Sequence, residues 1–145
     1  MRISTYAELR TAHQAEIDTF PIMFAFSDKQ FAEGMRALGL EPSETDKVYI
    51  WREVSGFYRK SDADALHEML ERHEREMSGA IAGDATGGGF IFSMFVYELA
   101  NHEYGYTLDV TDTLESLGLT MDEVQADPRL AHGLKLAVEA QRDPG

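Results

Sequence analysis

The sequence predicts a mainly helical α+β protein with a small antiparallel sheet of about three short strands. Three observations carry that prediction. Apolar residues recur at helical spacing through most of the chain. The runs that read as strands, FPIMFAF, VYIWREV and GFYRK, all lie before residue 61. Serine and threonine caps, glycines and prolines cut the rest into pieces of helix length.

Taken in order, Tyr6, Leu9, His13 and Ile17 mark one face of a first helix over 6–18. The apolar run FPIMFAF at 20–26 reads as a buried strand. Ser27 and Gln30 form a capping box for a helix that buries Phe31, Met35 and Leu38 and ends at Gly39. EPSETD at 41–46 is a loop, and VYIWREV (48–54) with GFYRK (56–60) reads as a hairpin hinged at Ser55-Gly56. Ser61 is then a helix cap, with Asp62 and Asp64 favourable at the positive N-terminus. That helix carries Leu66, Leu70, His73 and Met77 on one stripe and is broken by Gly79, Gly83 and Gly87-Gly88-Gly89. The segment from 90 to 102 is apolar on nearly all sides through Tyr97, which places it in the middle of the fold. Thr111 starts a short helix finished by Leu117-Gly118, Thr120 and Glu123 make a capping box, and Asp127-Pro128 is a start signal. The last helix buries Leu130, Leu134, Ala137 and Val138. A single globular domain over 1–145 is expected, with residues 142–145 disordered.

The chain has 145 residues and no cysteine, which removes disulfides, zinc-thiolate sites and a cysteine nucleophile and fits a reducing cytoplasm. MRISTYAELR lacks the apolar core of a secretory signal. FIFSMFVY, the longest apolar run, has 8 residues where a bilayer needs about 20. An intracellular protein off the membrane is expected. Net charge is −13, and no Lys or Arg occurs from Glu76 to Pro128, a stretch that carries ten acids. Such a field repels nucleic-acid phosphate and attracts basic partners, so direct DNA or RNA binding is not expected.

The stretches FPIMFAFSDKQFAEGM, GFYRKSDADAL, YELANHEYGYTLDVTDTLESLGLT and DPRLAHGLKLA occur in this order. Together they resemble a family of small uncharacterised proteins from bacteriophages and related mobile elements. The resemblance runs over most of residues 15 to 138. It implies a genetic context and no particular mechanism.

Glu98 and His102 stand four apart on one helical face, a spacing that suits two metal ligands. His67 and Glu71 from the preceding helix could join them, as in helical-bundle carboxylate–histidine sites, but the Glu-x-x-His repeat of those sites is missing. The competing reading makes YELANHEYGYTLDV the polar exit of a buried helix, with Glu98 and His102 tying down the loop to Thr111. Gly83 to Gly88 has the glycine spacing of a phosphate loop, but Gly89-Phe90 stands where Lys-Ser/Thr is required. Asp109 to Leu114 lacks the glycine and closing glutamate of a calcium loop. No serine sits in a nucleophile elbow, so no catalytic residue is assigned and no cofactor is expected.

The favoured expectation is therefore an interaction protein of the host cytoplasm. Its acidic surface, formed by Glu103, Asp109, Asp112, Glu115, Asp122 and Glu123, would bind a basic host protein. The concrete version is inhibition of a nucleic-acid-handling defence complex in the manner of anti-CRISPR proteins. Tyr104, Tyr106 and Tyr58 are the aromatic interface candidates. The alternative is a small metal-binding protein or metal-dependent hydrolase using His102, Glu98 and His67, and a homo-oligomer without a ligand is the third option.

Overall fold

Helix α1 (Tyr6–Thr19) leads the chain in the computed structural model, which describes residues 5–102, 104 and 109–142. Strand β1 (Met23–Phe24) and helix α2 (Asp28–Ala37) follow, then the hairpin of β2 (Val48–Trp51) and β3 (Gly56–Arg59). The long α3 (Ala63–Ala82), α4 (Phe90–Asn101), α5 (Thr111–Ser116), α6 (Met121–Ala126) and α7 (Pro128–Arg142) complete the described elements. The class is the mainly helical α+β expected, with one three-stranded antiparallel sheet in the order β1-β3-β2. Contacts divide the chain into two compact units, residues 1–12 with 75–145 and His13–Glu74. None of the described helices is long and apolar enough to cross a membrane.

In the unit His13–Glu74 the sheet has an apolar cluster on each face. Val48, Phe57 and Met23 pack with Phe31, Met35 and Leu38 of α2 and its C-cap. Tyr58 and Trp51 pack with Ile22, Ala63 and Leu66. The approach of α2 is set by Gly34, where a Cβ would stand 2.6 Å from the Phe57 ring. The hairpin register, Val48 opposite Arg59 and Trp51 opposite Gly56, closes through a 3₁₀ turn at Arg52–Val54. Ser55 completes that turn in the left-handed region at φ 55°.

Three local expectations are corrected. FPIMFAF is not a seven-residue buried strand, because only Met23–Phe24 pair, and Phe24 and Phe26 are 53% and 79% exposed. Its backbone groups are taken by turns: Ile22 N–H donates to Phe20 O and Phe26 N–H to Gln30 Oε1. Ser61 does not cap α3, since it lies inside a 3₁₀ turn, Lys60–Asp62, that runs into the helix. Gly79 does not break α3, which continues to Ala82.

The other unit is built around α4, whose Phe90, Ile91, Met94, Phe95 and Leu99 are buried. Leu130, Leu134 and Ala137 of α7, Val124 of α6, Leu114 of α5 and Tyr6 of α1 share that core. The capping box of Thr120 and Glu123 forms in both directions. Asp127 precedes Pro128 as the start signal requires, its carbonyl accepting from Ala131 N–H and its carboxylate from Arg129 N–H. Arg142 closes α7, and the rest of the segment expected to be disordered, 143–145, lies outside the described residues.

Candidate functional site

Two polar centres and one charged surface stand out in the unit of residues 1–12 and 75–145. The first centre is Glu98, a carboxylate with 3% of its side chain exposed in the last turns of an otherwise apolar helix. Burying an unpaired carboxylate is prohibitive, so its partners decide whether the helix can sit there. Tyr6 Oη donates to Oε1 at 2.7 Å and Ser116 Oγ to Oε2 at 3.2 Å. The Arg10 guanidinium stands 3.5 Å from Oε1 and lies over the rings of Tyr6 and Tyr97, at 5.8 and 5.3 Å from their centroids. His102 Nε2 lies 3.4 Å from Oε2, within ion-pair reach but off hydrogen-bond geometry. The Glu98 carbonyl also accepts from Thr113 Oγ at 3.4 Å. Burial, reinforced by the bond to Glu98, pushes the Tyr6 hydroxyl up to about 12. The cluster holds α1 and α5 onto α4, whereas most of the loop that Glu98 and His102 were expected to tie down lies outside the described residues.

As a metal site the cluster is incomplete among the described residues. Glu98 and His102 come together, but no group of three or more His, Cys, Asp or Glu able to hold an ion forms there. His67 belongs to the other unit, where it lines a cavity with Trp51 and Tyr58. In that unit His73 is buried as its stripe position predicts, stacked on His13 at 3.9 Å between ring centroids. Its Nε2 lies 3.3 Å from Glu16, which Arg72 also engages.

The second centre is Asp84, in the glycine loop. Asp84 Oδ1 accepts from Gly87 N–H at 3.0 Å and Thr86 N–H at 3.3 Å. Its Oδ2 accepts from Gly89 N–H at 3.0 Å and Ile91 N–H at 2.9 Å. These are the amides an anionic ligand would use, and the loop's own carboxylate fills them. Burial works to raise the Asp84 carboxyl, but the bonds from Ile91, Gly87, Gly89 and Thr86 together hold it below the usual carboxylate range. Beside it Arg129 donates to the carbonyls of Ile81, Ala82 and Asp84, all at 3.2 Å, and so closes the C-terminus of α3. Nothing in the local sequence around Arg129 signalled this, because its partners lie 45 to 48 residues upstream.

The exposed acids lie on α5 and α6 and just before them. Asp109, Asp112, Glu115, Asp122 and Glu123 are all exposed, and Met121 among them is 39% exposed. Asp109 binds Thr111 through both its N–H and its hydroxyl, and those bonds hold the Asp109 carboxyl below its ordinary range. Glu123 serves the capping box. Among the described residues no ion pair reaches Asp112, Glu115 or Asp122. Asp127 differs, since Arg129 sits 3.2 Å from it. Glu103 and Tyr106 lie outside the described residues. Tyr104 and Tyr58 are not available as free aromatic contacts, being 7% and 9% exposed and built into the cores. The exposed aromatic and aliphatic side chains of the hairpin region, Phe24, Phe26, Tyr49 and Ile50, were missed because their alternation reads as burial.

No curated protein and no solved structure matches this chain. Residues 5–140 match the model of a family of unknown function, DUF7659, and the chain belongs to that family.

Proposed function

We propose that this protein is an accessory factor of a bacteriophage or related mobile element that docks through α5 and α6 on a basic surface of a host protein. The concrete target class is a nucleic-acid-handling defence complex, which the docking would inhibit in an anti-CRISPR-like way in the host cytoplasm. The observation that carries this reading is that Asp112 and Glu115 of α5 and Asp122 of α6 are exposed and without an ion-pair partner among the described residues, while α6 also exposes the apolar Met121. Desolvated charges facing complementary charges speed encounter and fix partner choice, and an apolar centre supplies the affinity that exposed ion pairs do not. The basic channels of nucleic-acid enzymes offer the matching field.

The test is binding to purified basic defence complexes, followed from about 50 to about 500 mM NaCl, a range over which exposed charge attraction is screened. Affinity falling with salt is expected, with a further loss of about tenfold or more in Asp112→Asn/Glu115→Gln/Asp122→Asn/Glu123→Gln. Glutamine at 123 keeps the capping box, so the helices stay formed. Affinity indifferent to salt, or absence of binding to any such complex, overturns the proposal.

A further inference from the structure

Strand β2 ends the sheet order β1-β3-β2, so its outer edge has no strand partner among the described residues. Exposed edges of this kind are templates for another strand unless charge, proline or a covering loop blocks them. Here a cavity lies on each face of the edge. One, of about 270 Å³, is lined by Trp51, Tyr58, Leu66, Leu70 and the polar His67 on the α3 side. The other, of about 250 Å³, is mainly apolar and is lined by Phe31, Phe57 and Ala25 on the α2 side, with Arg52 and Ser55 among its walls. Ile50 lines both and is 63% exposed, and Tyr49 beside it is 46% exposed. Within this acidic chain, residues 47–60 carry four cations, Lys47, Arg52, Arg59 and Lys60, against the single acid Glu53. Lys47 is engaged by Glu44 and Arg59 by Asp62, whereas Arg52 is exposed and makes no ion pair among the described residues, and Lys60 lies 5.1 Å over the Tyr49 ring.

Successive side chains of an extended chain point to opposite faces of a sheet, so a strand laid on β2 would send two neighbouring side chains one into each cavity. We propose that β2 is a strand-addition site for an extended segment of another protein, apolar at two successive central positions and acidic at its flanks. Main-chain hydrogen bonds supply the affinity, the two cavities select the central pair, and Arg52 and Lys60 select the flanks. A second copy pairing β2 against β2 is disfavoured, because it would bring the cations of both hairpins together. This site lies in the unit His13–Glu74 and does not rest on the acidic helices.

Fluorescence anisotropy with labelled peptides of about eight residues, the length of an ordinary strand and its flanks, tests it. The set carries Asp and Glu at both ends and every pair of Val, Leu, Ile, Phe and Tyr at the two central positions. At least one such peptide is expected to bind saturably. Its Lys-flanked counterpart and its backbone N-methylated counterpart should each bind about tenfold more weakly or worse, the second because N-methylation removes the ladder donors. Ile50→Glu should weaken binding by a similar factor of about ten while leaving the circular dichroism and unfolding midpoint unchanged, since the side chain is already exposed. Arg52→Glu with Lys60→Glu should reverse the flank preference. The α5–α6 charge variant should bind the peptide as the parent does. The proposal is overturned if no acid-flanked peptide saturates, if N-methylation leaves binding intact, or if Ile50→Glu binds equally well. A concentration-dependent dimer in sedimentation that Ile50→Glu abolishes assigns the edge to a second copy and overturns it too.

Discussion

Glu98 accepts its shortest hydrogen bond, 2.7 Å, from the hydroxyl of Tyr6, a residue 92 positions away in sequence. Removing that donor leaves the buried carboxylate to Ser116 and Arg10. Tyr6→Phe is therefore expected to lower stability by about 1–3 kcal/mol in urea denaturation, the range for unsatisfying a buried charged acceptor. The same bond has a pH signature. The folded-state hydroxyl is raised to about 12 from its ordinary 10.0, so its contribution is complete below the unfolded value and is lost as pH climbs between the two. Parent stability should fall across that window relative to Tyr6→Phe, and parallel pH profiles would sink the assignment. The Glu98–His102 half of this cluster was legible because four residues is one helical turn. Tyr6 and Arg10 were not, because no local period links them to a helix 88 or more residues away.

Glycines that look alike in sequence differ at the scale of the elements they join. Gly39 and Gly118 end α2 and α5 in the left-handed region, and a Cβ at either would meet nothing within 4 Å. In both, the next residue's N–H reaches back to close the helix, Leu40 to Met35 O and Leu119 to Leu114 O, each at 2.9 Å. Gly87 also has positive φ, 87°, but a Cβ there would collide with the Arg129 carbonyl. Gly39→Ala should thus cost about 1 kcal/mol from backbone strain alone. Gly87→Ala adds a backbone clash and should cost about 2–4 kcal/mol. Equal losses by calorimetry would remove the claimed close approach. Helix ends of this sort were readable from sequence because a cap is a local arrangement of side chain and amide. The failures share the opposite cause: at Ser61 and along FPIMFAF the outcome was set by competing turns, and for Gly79 by tertiary support of a helix the residue alone would weaken.

A net charge of −13 opposes compaction of the whole molecule, and the Lys47–Glu44, Arg59–Asp62 and Arg72–Glu16 pairs that offset part of it are at least partly exposed. Raising NaCl from about 10 to about 300 mM shortens the Debye length severalfold. The unfolding midpoint should then rise by about 2–4 °C, corresponding to roughly 1 kcal/mol for a chain of this size. A falling midpoint would mean that attraction, not repulsion, dominates. The division of the chain adds a matter of timing. His13–Glu74 is continuous in sequence, whereas the other unit joins the first dozen residues to everything after Glu74. As the polypeptide leaves the ribosome, the inserted piece can close while its host still lacks most of its partners. Tyr6 waits for Glu98, and the end of α3 stays open until Arg129 emerges, so that unit assembles after the inserted one.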